Sequence, residues 1–314
     1  MKCIFGVDVG GTNIKFGKFV DETLVESFQQ KTHSNPNDPI NSIVDQIVNT
    51  VLSNLNKDEL IGIGVGVPGP VIDGVVKGAQ NIYWEEVELQ KALEDAFYEK
   101  GYKDLKIVTL NDANAATLGE WYYGKGKKTP NMVFVTLGTG IGGGIIINSK
   151  LLEGFTGSAG EIGHIKIFPF EGRPCSCGLS GCLEQYASAT GIAKTGYGMI
   201  KNGDTVLKNK KYLNCKDIFD AAYAGDKIAN DIVDKSAYYL AIGLANVANT
   251  LNPNKIILGG GVSKAGSILL DNVKKYFNDL AFYSITNTEI ELATLLNDAG
   301  IYGCMYAVKE KING

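Results

Sequence analysis

Between Gly160 and Glu184 the chain reads GEIGHIKIFPFEGRPCSCGLSGCLE, which places His164, Cys175, Cys177 and Cys182 in one glycine- and proline-rich stretch. One imidazole and three thiols are the ligand set of a closed tetrahedral zinc site. Four protein ligands leave no position for a reacting water, so such a metal is structural rather than catalytic. The competing reading makes the cysteines small buried hydrophobes and His164 a core histidine. Glycine and serine between the thiols are poor core material, and the spacing favours metal. Glu161 lies three residues before the histidine and Glu184 two after the last cysteine. A metal closing this loop would fix both carboxylates relative to each other, which predicts a substrate pocket on a zinc-stapled loop.

Three glycine clusters each follow a strand-like run: Gly10-Gly11 with Thr12, the run opened by Gly138-Thr139-Gly140, and Gly259-Gly260-Gly261. Glycine there lets backbone N–H groups approach phosphate oxygens. Any one cluster reads most simply as a tight hairpin; three of them with Asp8 point to a nucleotide. GTGIGG from Gly138 and GVGVPG from Gly64 fit the GxGxxG pattern, but no helix is predicted after either, so a dinucleotide fold fails its own context. GEWYYGKG from Gly119 lacks the Ser or Thr, and the preceding strand, of a Walker loop. Asp8 ends the first strand, where a carboxylate either organises magnesium or hydrogen-bonds the turn. Asp112 opens a helix, as an N-cap or as the general base that takes an acceptor hydroxyl's proton in phosphoryl transfer. An acid beside an amide, as in Asn111-Asp112, suits a polyhydroxyl ligand.

The elements that must position these residues are legible. Ile4–Val9, a glycine turn and a second strand recur as Val133–Leu137, a glycine turn and Gly142–Ile147, which implies an internal duplication. Ile40 to Leu55 and Ile228 to Leu251 carry apolar residues at helical spacing, the second stopped by Pro253. Ile61–Val67 alternates glycine with aliphatics, a strand that admits close backbone approach. Lys106–Leu110 reads as a strand running into a helix over Ala113–Trp121, and Ile256–Leu258 as a short strand before another helix. A length of 314 residues with 45% hydrophobic content supports two α/β domains, divided near residue 119.

A net charge of −4 and a pI near 5.4 argue against a nucleic-acid surface and against a zinc ribbon with basic flanks. No stretch approaches a membrane span or a signal peptide. Three of the six cysteines belong to the proposed metal, and Cys3, Cys215 and Cys304 read as ordinary reduced thiols of a cytoplasmic protein. Arg173 is the only arginine, so a polyphosphate would be held by backbone N–H groups, lysine and a metal ion.

The stretches DVGGTNIK from Asp8, GVPGPV from Gly66, NIYW from Asn81, NDANAATLGE from Asn111, LGTGIGGG from Leu137, GSAGEIGH from Gly157, CSCGLSGCLE from Cys175, ANTLNPNKIILGGGVS from Ala248 and NDAGIYG from Asn297 together resemble the ROK family of sugar kinases and repressors. The family lies within the actin and hexokinase superfamily, and the glucokinase branch is the most similar. The resemblance implies a two-domain actin-like (ribonuclease H-like) ATPase fold with a duplicated core and a cleft between domains: residues 1–118 with 299–314 packed back, then 119–298. It implies ATP, Mg2+ and structural Zn2+, with phosphate clamps at Gly10–Thr12 and Gly138–Gly140 and adenosine at Gly259–Gly261. Asp112 would be the base; Asn111, Asp112, Glu161, His164, Glu184 and, more weakly, Asn81 would hold the sugar, with Lys15 in any cationic role. Glucose is the expected acceptor, with fructose, mannose, N-acetylglucosamine and N-acetylmannosamine as alternatives. The family also implies a homodimer or homotetramer. Its repressors carry a DNA-binding domain ahead of the kinase-like fold, whereas this chain reaches its first strand by residue 4. A catalytically silent sugar-binding protein is the remaining alternative, and Asp8 and Asp112 argue against silence.

Overall fold

The computed structural model describes residues 1–35, 37–79 and 82–314. The chain runs β1 (Lys2–Val9), β2 (Asn13–Val20), β3 (Thr23–Lys31), α1 (Pro39–Ser53), β4 (Glu59–Val67), β5 (Val71–Ile72), β6 (Val75–Ala79), β7 (Trp84–Val87), α2 (Leu89–Glu99), β8 (Lys106–Asn111) and α3 (Asp112–Tyr122). It continues with β9 (Met132–Leu137), β10 (Ile141–Ile147), β11 (Lys150–Leu151), α4 (Glu184–Ala187), α5 (Ala189–Met199), α6 (Cys215–Tyr223), α7 (Lys227–Leu251), β12 (Lys255–Gly259), α8 (Ser267–Leu280), β13 (Glu289–Leu292) and α9 (Ala299–Asn313). Two compact units form. One comprises Met1–Lys128, Leu151–Ala159 and Asn297–Gly314, the other Thr129–Lys150 and Gly160–Leu296.

In the first unit the sheet order is β3-β2-β1-β4-β8, antiparallel across β1–β2 and β2–β3, parallel across β1–β4 and β4–β8. β1 and β4 are almost wholly buried, which is why both read as near-continuous apolar runs. Phe5, Val7, Ile63 and Val65 share a core with Ile43, Ile47 and Val51 of α1 and Leu89, Leu93 and Phe97 of α2. The intervening positions face α9: a Cβ placed on Gly6 or Gly64 would stand 2.1 Å from the carbonyl oxygen of Ile301 or Cys304. The alternating glycines of β4 are thus a seat for the C-terminal helix. The same device joins α3 to α9, since a Cβ on Gly303 would lie 1.7 Å from the Ala115 carbonyl oxygen and one on Gly119 would lie 2.1 Å from that of Ala299. This packing keeps α3 whole and carries the first unit past the expected boundary at 118.

The second unit repeats the plan. Its sheet order is β11-β10-β9-β12-β13, with β9–β10 antiparallel and β9–β12 and β12–β13 parallel. The duplication read from the two glycine turns is therefore a duplication of the sheet. Helix α7 buries Ile232, Val233, Leu240, Leu244 and Ala248 in this unit's core. Asp226 caps it by accepting from Ala229 N–H at 2.9 Å, and it ends at Asn252, left-handed with φ 45°, one residue before the proline that forbids another turn. No helix among the described residues is long and apolar enough to cross a membrane.

Candidate active site

Asn111 ends β8 and caps α3: its side-chain oxygen accepts from Asn114 N–H at 3.0 Å. The cap expected at Asp112 therefore belongs to its neighbour, because Asn111 keeps extended backbone while Asp112 is already the first helical residue. Asp112 is left exposed with its Oδ1 oriented by Ala113 N–H at 2.8 Å and Asn111 Nδ2 at 3.1 Å. Asn111 Nδ2 also donates to the Gly69 carbonyl at 3.0 Å. A carboxylate at a helix N-terminus is stabilised by the amide dipoles there. That is a sound mount for a group that must hold one position while exchanging a proton.

Asp8 faces a second helix start. A Cβ on Gly300, in the first turn of α9, would lie 2.9 Å from Asp8 Oδ2. Burial pushes the Asp8 carboxyl up to about 6; the Asp112 charge adds to the rise and Lys15 opposes it. Lys15 is the ladder partner of Asp8 across β1–β2. Its ammonium donates to the Asn297 carbonyl at 3.0 Å and pairs with the Asp298 carboxylate, which ties the strand after the first glycine turn to the residues that open α9. Within the first unit, Asp8, Gly10, Gly11, Thr12, Lys15, Asn111 and Asp112 thus gather where two strand ends meet two helix N-termini. Asn81 lies outside the described residues.

In the second unit β9 and β10 close a hairpin on Gly138-Thr139-Gly140, with Gly138 N–H donating to the Gly140 carbonyl at 2.9 Å. As the sequence required, strand rather than helix follows this turn. Gly260 packs beside it. Its φ is +82° and a Cβ would stand 2.6 Å from the backbone nitrogen and oxygen of Leu137, so glycine is needed there on both counts. A cavity of about 610 Å³ opens against these residues, lined by Gly138, Thr139, Asn214, Cys215, Lys216, Phe219, Asp220, Tyr223, Gly261, Val262 and Lys264 among others. Phe219, Tyr223 and Val262 form an apolar wall that suits a flat ring. The Tyr223 hydroxyl is anchored on the Ala265 carbonyl, and burial pushes the Cys215 thiol up to about 12, keeping it neutral. The α6 face of this cavity escaped sequence reasoning. Its only signal was the amphipathic Cys215–Tyr223 stretch, which by itself reads as a core helix.

His164, Cys175, Cys177 and Cys182 converge, their ligand atoms all within 4.8 Å of one another. Cys177 and Cys182 Sγ are 3.7 Å apart, as are Cys175 Sγ and His164 Nδ1. Two sulfurs bound tetrahedrally at about 2.3 Å from zinc must be about 3.8 Å apart, so the donor set fits the ion. Two bridges shape the loop, Lys166 with Cys182 and Pro174 with Ser180. Burial pushes the Cys175 thiol up to about 11, whereas the Leu179 N–H holds Cys177 below its usual value. Metal capture must therefore expel a proton from Cys175, which weakens binding in acid.

The two bracketing acids are held against this tetrad. His164 turns Nδ1 to the thiols and Nε2 to Glu161, whose Oε2 is 3.8 Å away. Glu184 Oε1 accepts from Cys175 Sγ at 3.1 Å, and its Oε2 reaches Ile141 N–H at 3.5 Å. A Cβ on Gly140 would stand 2.8 Å from that same oxygen. Glu184 thus spans from the cysteine loop to the glycine hairpin. Arg173 is engaged by protein groups: its guanidinium donates to the carbonyls of Gln185 and Gly191 and to Thr195 Oγ1, and lies 4.6 Å over the Tyr186 ring.

The sequence profile of the ROK family matches residues 4–311. The chain is 42% identical to the glucokinase of Halalkalibacterium halodurans, covering 98% of this chain and 95% of that protein. It is 31% identical to the xylose repressor of Caldicellulosiruptor bescii, over 97% of this chain and 77% of that protein. Among solved structures, the ROK family glucokinase from Streptomyces griseus in complex with glucose and AMPPNP superposes with a TM-score of 0.80 at 32% identity, covering 98% of this chain and 99% of that one. Matched from its first strand to its last helix, the chain belongs to the ROK family.

Proposed function

We propose that the chain is an ATP-dependent glucokinase that transfers the γ-phosphoryl group of ATP to the 6-hydroxyl of D-glucose. The observation that carries this reading is the end-to-end likeness to a glucokinase at 42% identity, joined to a site whose parts suit phosphoryl transfer. In the first unit, Asp112 takes the proton of the 6-hydroxyl as that oxygen attacks phosphorus, and Asn111 orients both base and sugar. The backbone of Gly10–Thr12 binds phosphate oxygens, and Lys15 supplies positive charge beside it. In the second unit, Gly138–Gly140 is the other phosphate clamp and the cavity over Gly259–Gly261 receives the adenosine. Glu161, Glu184 and the Nε2 side of His164 meet sugar hydroxyls, with Asn81 as a further contact.

Asp8 is the carboxylate that would hold magnesium or its water, and a bound Mg2+ would neutralise charge on the transferring group. His164, Cys175, Cys177 and Cys182 would hold a structural Zn2+ that fixes the loop carrying the sugar contacts. A set of reduced thiols of this kind belongs in a cytoplasmic enzyme of carbohydrate metabolism; the homodimer or homotetramer of the family is part of the same proposal.

An ADP-release assay over glucose, mannose, fructose, N-acetylglucosamine and N-acetylmannosamine tests the reading. Turnover highest on glucose is expected. Preference for another sugar moves the assignment within the family, and sugar binding without turnover on any of them overturns it in favour of a sensor.

A further inference from the structure

A glycine hairpin that binds phosphate must turn its N–H groups toward the anion and its carbonyl oxygens away, because an oxygen facing the anion repels it. In the first hairpin that sorting depends on the residue just beyond β3. The Thr32 hydroxyl donates to the Gly10 carbonyl at 2.6 Å, and the Thr32 N–H donates to the Thr12 carbonyl at 2.9 Å. Gly10 N–H closes the turn on the Asn13 carbonyl at 2.9 Å. Gly10, Thr12 and Asn13 thus have their carbonyls tied down, while the N–H groups of Gly11 and Thr12, on exposed residues, meet no carbonyl among the described residues. The second hairpin solves the problem differently: its Gly138 carbonyl accepts from the backbone N–H of Ala189 at 2.9 Å. Of these two hairpins, among the described residues, the first alone hangs a carbonyl on a side-chain hydroxyl.

We propose that Thr32 is a positioning residue for nucleotide binding, whose hydroxyl holds the Gly10 carbonyl off the phosphate-facing side of the hairpin. The inference rests on the kinase reading. A merely structural role, as the last rung of the β2–β3 ladder, is already met by the Thr32 backbone N–H and needs no hydroxyl. Without the hydroxyl, the Gly10 peptide loses its anchor and is free to rotate its oxygen toward the position a phosphate oxygen takes. The hydrogen bonds of Thr32 run to the Gly10 and Thr12 carbonyls of the hairpin, so the effect falls on nucleotide and spares sugar.

The test is calorimetric titration of the full chain with MgADP and separately with glucose, together with the KM for MgATP. Thr32→Val keeps the branched shape and the backbone bond but lacks the donor, and it weakens MgADP and raises the KM for MgATP about tenfold. Glucose affinity stays within about twofold of the parent, and Thr32→Ser, which restores the donor, does the same for both ligands. Should Thr32→Val fail to fold, Thr32→Ala must show the same split. MgADP bound by the hydroxyl-free variant as tightly as by the parent overturns the assignment, as does an equal loss for glucose and nucleotide. A parent that binds no MgADP overturns the kinase reading and this inference together; a parent that binds and turns over while Thr32→Val is indistinguishable overturns this inference alone.

Discussion

Replacing Asp8 with Asn removes a carboxyl that folding holds at about 6 instead of its ordinary 3.8. The folded state therefore grips this proton more tightly than the unfolded chain does between those two pH values. Because the pKa is raised, stability is intact below 3.8, declines as pH climbs toward 6, and is level above. A rise of about two pKa units at 1.36 kcal/mol each sets an upper bound of about 3 kcal/mol, and residual solvent around a partly buried side chain brings it nearer 2. Asp8→Asn never ionises, so it escapes the penalty. Urea unfolding without nucleotide or added magnesium should show the variant matching the parent near pH 4, pulling ahead as pH rises, and leading by about 2 kcal/mol at pH 7. Asp112→Asn should recover part of the same gain, since the Asp112 charge is the second cause of the shift. Turnover should move the opposite way and be lost in Asp8→Asn. Parent and variant unfolding in parallel from pH 4 to pH 8 would refute the reasoning, because the carboxyl would then not be strained by its surroundings.

Asp112→Asn keeps the helix start but removes the base; kcat should drop by about 10²–10⁴ with the KM for glucose little changed, and near-parental turnover removes the assignment. Cys177→Ser should take bound zinc from about one per chain to none by elemental analysis and weaken glucose binding at the same time; a parent free of zinc sinks the loop argument. Gly303→Ala places a methyl 1.7 Å from the Ala115 carbonyl oxygen, so α3 and α9 must separate. The unfolding midpoint should fall by the equivalent of about 3 kcal/mol, and an unchanged midpoint would show the two helices to be loosely apposed.

The parts of this fold that could be read ahead of the structure are those whose cause is local. A strand that must be buried on both faces is written as GIGVGV; a hairpin is written as glycine between two apolar runs; a cluster of one imidazole and three thiols is written as four such residues close in the chain. Whatever depends on distant partners was not legible. Asn111 takes the cap from Asp112 because Gly69 and Asn114 both engage its side chain, and neither engagement shows in an Asn-Asp pair. The cationic role expected of Lys15 had no visible counterpart, yet its ammonium is held by Asn297 and Asp298 at the far end of the chain. The α6 wall of the cavity likewise needed tertiary packing, since an amphipathic helix does not announce that one of its faces borders a void.

One element explains most of what was hidden in the first unit. Helix α9 lies on β1 and β4 through Gly6 and Gly64, clasps α3 through Gly119 and Gly303, and sets Gly300 against Asp8, while the residues leading into it hold Lys15. Asp8 and Lys15 come from one stretch of sequence and Asp112 from another, but each is placed by contact with this helix or with an element packed on it. Side chains larger than hydrogen at these glycines would lift α9 off the sheet and move all three together. The placement of these three side chains and the stability of the unit are thus carried by the same close approaches. A conservative glycine-to-alanine change far from any ligand should therefore alter nucleotide and proton chemistry as well as the unfolding midpoint.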